Sequence, residues 1–212
     1  MRYPRTLALA LAAAAGLLAL TACGSTRTIH AQQALGFHGA RLVIDDSAPD
    51  LRLVPGPGPG LRVQRWVSGT AARPGHATWT LSGDTLRLSI DCTGLVFHCG
   101  ARFQVAVPAG LPLVVRSGTG NITAAGLRSP SVRVTSAQGS VDIGFGAAPR
   151  FVDIRCGARS ATVRLPVTGA RYHVVVSSGT GSARTRVPDD RLSRRVVRVI
   201  SVNSAALVLA ES

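Results

Sequence analysis

Val114-Val115-Arg116-Ser117-Gly118-Thr119-Gly120-Asn121-Ile122 is the first of five stretches built on one plan. Val132-Arg133-Val134-Thr135-Ser136-Ala137-Gln138-Gly139-Ser140-Val141 follows it, then Val152-Asp153-Ile154-Arg155-Cys156-Gly157-Ala158-Arg159-Ser160-Ala161. Val174-Val175-Val176-Ser177-Ser178-Gly179-Thr180-Gly181-Ser182-Ala183 and Val197-Arg198-Val199-Ile200-Ser201-Val202-Asn203-Ser204-Ala205-Ala206 complete the set. Each reads as a β-branched strand, a corner of small residues and the start of another strand. Aligned on Ser117, Ser136, Cys156, Ser178 and Ser201, the units recur every 19 to 23 residues. One such unit cannot bury its own apolar face, so a period of about 20 residues made of short strands predicts rungs that stack on one another. The fold expected is all-β, a β-solenoid or stacked β-strand repeat with rungs of about 20 residues. The small residues stand where bulk would clash or where positive φ is required. Alternation sends the valines and isoleucines inward and leaves Arg133, Arg164 and Arg198 pointing out.

Working back from the repeats, Leu42-Val43-Ile44, Leu51 to Val54, Leu61 to Val67, Ala77 to Leu81, Thr85 to Ile90 and Phe103 to Val107 have strand character. Ser82-Gly83-Asp84 is a hairpin turn between two of them. Pro55-Gly56-Pro57-Gly58-Pro59-Gly60 is a breaker run that no ladder crosses. Residues 35–212 are expected to form one body continuous with the repeats, which are clearest over 111–210. No amphipathic helical period occurs beyond the N-terminus.

That N-terminus follows an export plan. Arg2 and Arg5 form a basic opening, Thr6 to Leu20 is an apolar Ala/Leu run, and Leu20-Thr21-Ala22-Cys23-Gly24 closes it. The apolar run is shorter than the roughly 20 residues a membrane span requires. The closing pentapeptide resembles the lipobox of bacterial lipoproteins, which implies cleavage after Ala22 and a diacylglycerol on the sulfur of Cys23. Residues 1–22 would then be a signal peptide and 23–34 a polar tether, with the protein held by two acyl chains on the outer face of a cell membrane.

The formal net charge is +14, and all 24 basic residues are arginine. Loss of Arg2 and Arg5 with the signal leaves about +12, a field that favours anionic partners such as an envelope polymer or lipid headgroups. Aromatic residues make up only 4% of the chain, which argues against nucleic acid held by base stacking. Arginine grips phosphate bidentately, and Arg133, Arg164 and Arg198 are the candidate anion-binding residues, with Arg155, Arg184 and Arg186 joining them if all share one face.

Cys92 and Cys99 enclose a six-residue loop and, in an exported protein, read as a disulfide. Cys156 is left over as a free thiol. The histidines His30, His38, His76, His98 and His173 share no metal-ligand spacing, so no metal is expected. Gly118-Thr119-Gly120 and Gly179-Thr180-Gly181 lack the third glycine and following helix of a dinucleotide site. In Asp45-Asp46 and Asp189-Asp190, adjacent strand residues point to opposite faces, so neither forms a carboxylate dyad. Nothing here marks an enzyme or calls for a cofactor.

The repeats resemble the bacterial "putative adhesin" family, also described as the DUF4097 β-strand repeat domain. Val105-Ala106-Val107-Pro108-Ala109-Gly110 leading into Val115-Arg116-Ser117-Gly118-Thr119-Gly120-Asn121-Ile122 carries the resemblance, extended by Ser136-Ala137-Gln138-Gly139-Ser140-Val141 and Ser177-Ser178-Gly179-Thr180-Gly181. It spans roughly residues 35–210. Cys156 replaces the usual Ser at its corner, and Ser201-Val202-Asn203-Ser204 lacks the glycines. The resemblance implies a solenoid-like body, a surface location, and an adhesive or scaffold role. The alternative is an envelope sensor or accessory lipoprotein that acts through a protein partner.

Overall fold

The computed structural model describes residues 27–93 and 98–211. Strands in chain order are β1 (Ile29–Leu35), β2 (Leu42–Asp46), β3 (Asp50–Pro55), β4 (Leu61–Gly69), β5 (Ala77–Ser82), β6 (Thr85–Ile90), β7 (Cys99–Val107), β8 (Leu113–Ser117) and β9 (Asn121–Leu127). They continue as β10 (Ser131–Ser136), β11 (Val141–Phe145), β12 (Phe151–Cys156), β13 (Ala161–Pro166), β14 (His173–Ser178), β15 (Ala183–Thr185), β16 (Val196–Ser201) and β17 (Ala206–Glu211). Among the described residues the helical content is one 3-10 turn at Thr70–Ala72.

Each repeat lays one strand in an eight-stranded sheet, turns the corner, and lays the next in a nine-stranded sheet. Within the repeats the strands are parallel and in register, so like positions stack directly. Ile44, Val115, Val134, Ile154 and Val199 form one inward row; Leu53, Ala124, Ile143, Val163 and Val208 face them from the other sheet. All but Ala124 are wholly buried. Each such aliphatic side chain contributes about 1.5–3 kcal/mol of burial. The fold is therefore all-β, two large sheets of mainly parallel strands packed face to face, consistent with a flattened solenoid.

Stack order departs from chain order at both ends. The strand pairs run β6/β7, β2/β3, β8/β9, β10/β11, β12/β13, β16/β17, β14/β15. The chain thus sets β14/β15 down one place further out and returns to fill the gap with β16/β17. At the other end β1, β4 and β5 close the stack with antiparallel pairings. The Ser82↔Thr85 pair leaves Gly83-Asp84 as a two-residue hairpin turn, with Gly83 at φ 55°.

The aligned corner residues Ser117, Ser136, Cys156, Ser201 and Ser178 are cross-strand partners in one row, and Asp46 continues it at the next rung. Ser136 Oγ and Cys156 Sγ both donate to the Gly139 carbonyl at 3.0 Å. Ser201 Oγ donates to Arg159 O (2.9 Å) and Ser178 Oγ to Ser204 O (2.8 Å). Of the two reasons expected for the small residues, close approach is the operative one. Gly118, Gly120, Gly139, Gly157, Gly179 and Gly181 all have ordinary φ. A Cβ on Gly139 would overlap the Gly120 carbonyl oxygen, and one on Gly120 would overlap that of Ala48. Cys156 is a free, buried thiol serving as a corner donor, and burial raises its pKa.

Part of the expected tether is structured. The signal segment, Cys23 and residues up to 26 lie outside the described residues, but Ile29–Leu35 is an edge strand paired antiparallel with β4. Its composition misleads because a strand at the end of the stack covers little core. Gln32 accepts from Gln64 Nε2 (3.1 Å), and Gln33 accepts from Trp79 Nε1 (2.8 Å). Polar side chains serve there where apolar ones serve elsewhere.

Gly139→Ala is expected to lower stability by about 3 kcal/mol, since the obstruction is backbone and cannot swing away. Gly118→Ala, whose Cβ would meet open space, is expected to be neutral within about 0.5 kcal/mol. Urea unfolding of the two variants side by side checks this; equal losses would remove close approach as the cause.

Candidate anion-binding surface

The outward face of the eight-stranded sheet carries the charged rows. In one row Arg198, Asp153 and Arg133 are consecutive cross-strand neighbours. In the next, Arg155, Thr135, Arg116, Asp45 and Arg87 follow one another. Asp153 is almost fully buried beneath its neighbours and receives Arg133 Nε at 3.6 Å and Arg155 Nε at 3.4 Å. Asp45 receives Arg116 Nη1 at 3.3 Å. The Arg133 guanidinium also lies 5.6 Å from the Phe151 ring centroid, a cation–π contact. Arg87 and Arg198 have no ion-pair partner among the described residues. Five arginines therefore face two aspartates on one flat surface.

The six arginines considered from the sequence do not share this face. Arg133, Arg155 and Arg198 lie on it. Arg164 lies on β13 in the nine-stranded sheet, paired with Asp142, with Arg184 on β15 of the same sheet and Arg186 just beyond it. The ladder of Arg133, Arg164 and Arg198 is therefore split between the two sides. The reason is the corner: each unit crosses from one sheet to the other within about 20 residues, so a residue after the corner faces away from one before it. Nor do Arg133 and Arg198 repel directly, because Asp153 separates them.

An open groove of about 540 Å³ runs along the edge of this face, lined by Asp45, Asp46, Arg87, Arg116, Ser117 and Thr135 among others. Asp46 turns inward at the corner. It accepts from the Ala48 N–H (3.1 Å) and from Ser117 Oγ (3.3 Å). Desolvation outweighs these hydrogen bonds and, helped by the nearby Asp50 charge, pushes its pKa up to about 6. Sequence reasoning passed over this residue as one of an acidic pair beside a turn. The signal was present: Leu42-Val43-Ile44-Asp45-Asp46-Ser47-Ala48-Pro49-Asp50 follows the same plan as Leu113 to Asn121, with carboxylate and proline in place of hydroxyl and glycine.

Cys92 and Cys99 are joined by a disulfide. Elsewhere, His173 Nδ1 sits 3.0 Å from Asp189 Oδ1, which also accepts the Val174 N–H (2.9 Å). These contacts, the backbone one foremost, hold the Asp189 carboxyl below its usual range. Among the described residues no three His, Cys, Asp or Glu side chains gather as metal ligands do.

A putative cell adhesion protein from Clostridium sporogenes superposes with a TM-score of 0.62 at 13% identity, over 88% of this chain and 100% of that one. That likeness shows a shared fold. Putative adhesins from Parabacteroides merdae and Bacteroides fragilis align at TM-scores of 0.41 and 0.37, with 9% and 13% identity over 89% and 88% of this chain and 98% of each of theirs. No family model and no curated protein sequence matches the chain.

Because the Asp46 pKa is raised on folding, the native state binds a proton that the unfolded chain has released between pH 3.8 and about 6. This group's stabilising contribution is full below pH 3.8 and lost as the pH rises through about 6. Asp46→Asn is expected to flatten that dependence and to recover up to roughly 3 kcal/mol at pH 8. Urea unfolding between pH 4 and 8 reads it out; parallel profiles for the two proteins would refute the assignment.

Proposed function

We propose that this chain is an exported lipoprotein, cut before Cys23, lipidated on that cysteine, and holding a non-enzymatic β body at the cell surface for adhesion or scaffolding. The observation that carries the binding part is the excess of basic groups on this face: Arg87, Arg116, Arg133, Arg155 and Arg198 against Asp45 and Asp153, spread over adjacent strands beside an open groove. A flat array of guanidinium groups suits a repeating anion better than a compact solute, because each phosphate of a polymer can take a separate arginine fork. Paired strands space the arginines at intervals of about 4.8 Å or its multiples, and stacking keeps them rigid. The partner class is thus a phosphate-bearing envelope polymer, bound in a salt-sensitive way because the face is exposed.

Mass spectrometry of the processed protein is expected to find Cys23 as the first residue, carrying a diacylglycerol thioether. A mature N-terminus elsewhere, or an unmodified one, would defeat the anchor. Retention on immobilised teichoic-type polymer is expected to fall about tenfold or more in an Arg116→Ala/Arg133→Ala/Arg198→Ala variant. Arg164→Ala, on the opposite sheet, is expected to keep wild-type retention. Equal behaviour of the two variants would sink the face as the binding surface.

A further inference from the structure

A second basic feature lies away from that face, at the end of the stack where the strands of the eight-stranded sheet begin. Arg150, Arg171, Arg194 and Arg195 line one cavity of about 520 Å³ together with Asp190 and Ser193. Arg150 and Arg195 each stand immediately before a strand, β12 and β16, which pair from Phe151↔Val196 onward. Arg171 and Arg194 stand two residues before β14 and β16. Stacked in chain order, Arg171 would neighbour Arg150 and the Arg194-Arg195 pair would lie beyond them. The return of β16/β17 into the gap sets Arg194 and Arg195 between Arg150 and Arg171 and closes the cluster.

Hydrogen bonds hold the backbone at the rim of the cavity and the Arg195 side chain in place. Arg150 O accepts from Val196 N (2.9 Å) and Arg195 O from His173 N (2.8 Å), extending the sheet ladder to the cavity rim. Ser193 Oγ donates to Arg171 O (2.7 Å) and accepts from Arg195 N (3.1 Å). The Arg195 side chain is fixed by Nη1 donating to the carbonyls of Ala148 (3.1 Å) and Pro149 (3.2 Å). Those partners are neutral, so its charge stands. Asp190 is the one carboxylate lining the cavity. Its Oδ1 is engaged by Leu192 N (3.1 Å), and its Oδ2 lies 3.8 Å from Arg171 Nη1. Arg150 and Arg194 have no ion-pair partner among the described residues.

We propose that this cavity binds a phosphate ester group. Four guanidinium groups against one carboxylate leave an excess of positive charge that a dianion offsets, and one of the four, Arg195, is fixed in place. A tetrahedral phosphate offers several oxygens to forks arriving from different strands, where a carboxylate offers two. The volume exceeds that of a bare ion and leaves room for the esterified carbon. The site shares no residue with the sheet face proposed above and stands or falls apart from it.

The test uses the full chain in dodecyl maltoside micelles at fixed ionic strength, with glycerol 3-phosphate in one arm and phosphatidic acid, likewise a phosphate monoester, doped into the micelles in the other. Glycerol 3-phosphate is expected to raise the unfolding temperature with saturation, as a ligand of the native state does, and equimolar sulfate to do so far less. Arg150→Ala/Arg194→Ala is expected to weaken the apparent affinity about tenfold or more, while Arg164→Ala/Arg184→Ala, on the nine-stranded sheet and outside both basic features, leaves it unchanged. A response confined to the phosphatidic acid arm, and lost in the same Arg150/Arg194 variant, identifies the source of the ester as a lipid headgroup. If the alanine variant fails to fold, Arg150→Lys/Arg194→Lys, which keeps the charge and removes the fork, carries the test through loss of affinity. No phosphate response in either arm, an equal response to sulfate, or equal loss in the two alanine variants overturns the proposal.

Discussion

The rest of the molecule depends on how closely one rung's corner approaches the next. At each of the five aligned corners a short donor side chain turns inward and gives its hydrogen to a corner carbonyl, while small residues let the neighbouring rung's backbone press against the turn. The Gly139 carbonyl, accepting from Ser136 and Cys156 at once, shows both halves together. It ties its own rung to the following one, and it lies where a Cβ on its own residue would strike the rung before. A corner any wider would leave these carbonyls buried without partners, which costs about 1–3 kcal/mol each. It would also part the aliphatic rows on either side. Register, core and corner are one constraint repeated.

That repetition explains how much was legible. Ser117, Ser136, Cys156, Ser178 and Ser201 could be aligned from sequence because each corner makes the same demand of the same position. The alternation of valines could be read because parallel stacking gives every rung the same inward side. What escaped follows from the same uniformity. Rungs with interchangeable faces do not declare their order, so nothing in residues 173–211 announced that β16/β17 lies inside β14/β15. The β2/β3 corner meets the demand differently, with Asp46 as acceptor and Pro49 in the turn, and so fell outside a pattern defined by serine and glycine. β1 escaped for lack of a core to cover. Whether the arginines share a face was open in the sequence, because alternation gives an outward side to each strand but not which of the two sheets the strand enters.

The charges follow from the fold and do not direct it. Strand alternation requires polar side chains outward, and here the basic ones are all arginine. Stacking in register would bring them into like-charged columns, which is destabilising for direct neighbours. Asp153 interrupts one column and Asp45 the other. Exposed ion pairs contribute only about 0–1 kcal/mol, but Asp153 is buried under two arginines, and without it three guanidinium groups would share that stretch of sheet. The balance is partial by position: enough acid to permit stacking, too little to neutralise the face.

A stack of identical rungs also has to stop, since an open parallel edge is a template for another chain. The two ends meet this differently. At the first, antiparallel β1, β4 and β5 replace the repeat, and the Arg65 guanidinium lies 5.0 Å from the Trp79 ring centroid across the end of the core. At the other, β15 is reduced to Ala183–Thr185, wholly exposed, and the segment after it folds back over β14. There Tyr172, fully buried, bridges to Asp189 and donates its hydroxyl to Pro166 O (2.7 Å), while the Asp189 carboxylate takes the Val174 N–H. Closing this end required a rung with a long exit loop in the outermost place. The exit of β15 supplies that segment, residues 186–195, before the chain turns back into β16. In the inverted order the rung with that exit lies outermost, and β16/β17 fills the space inside it.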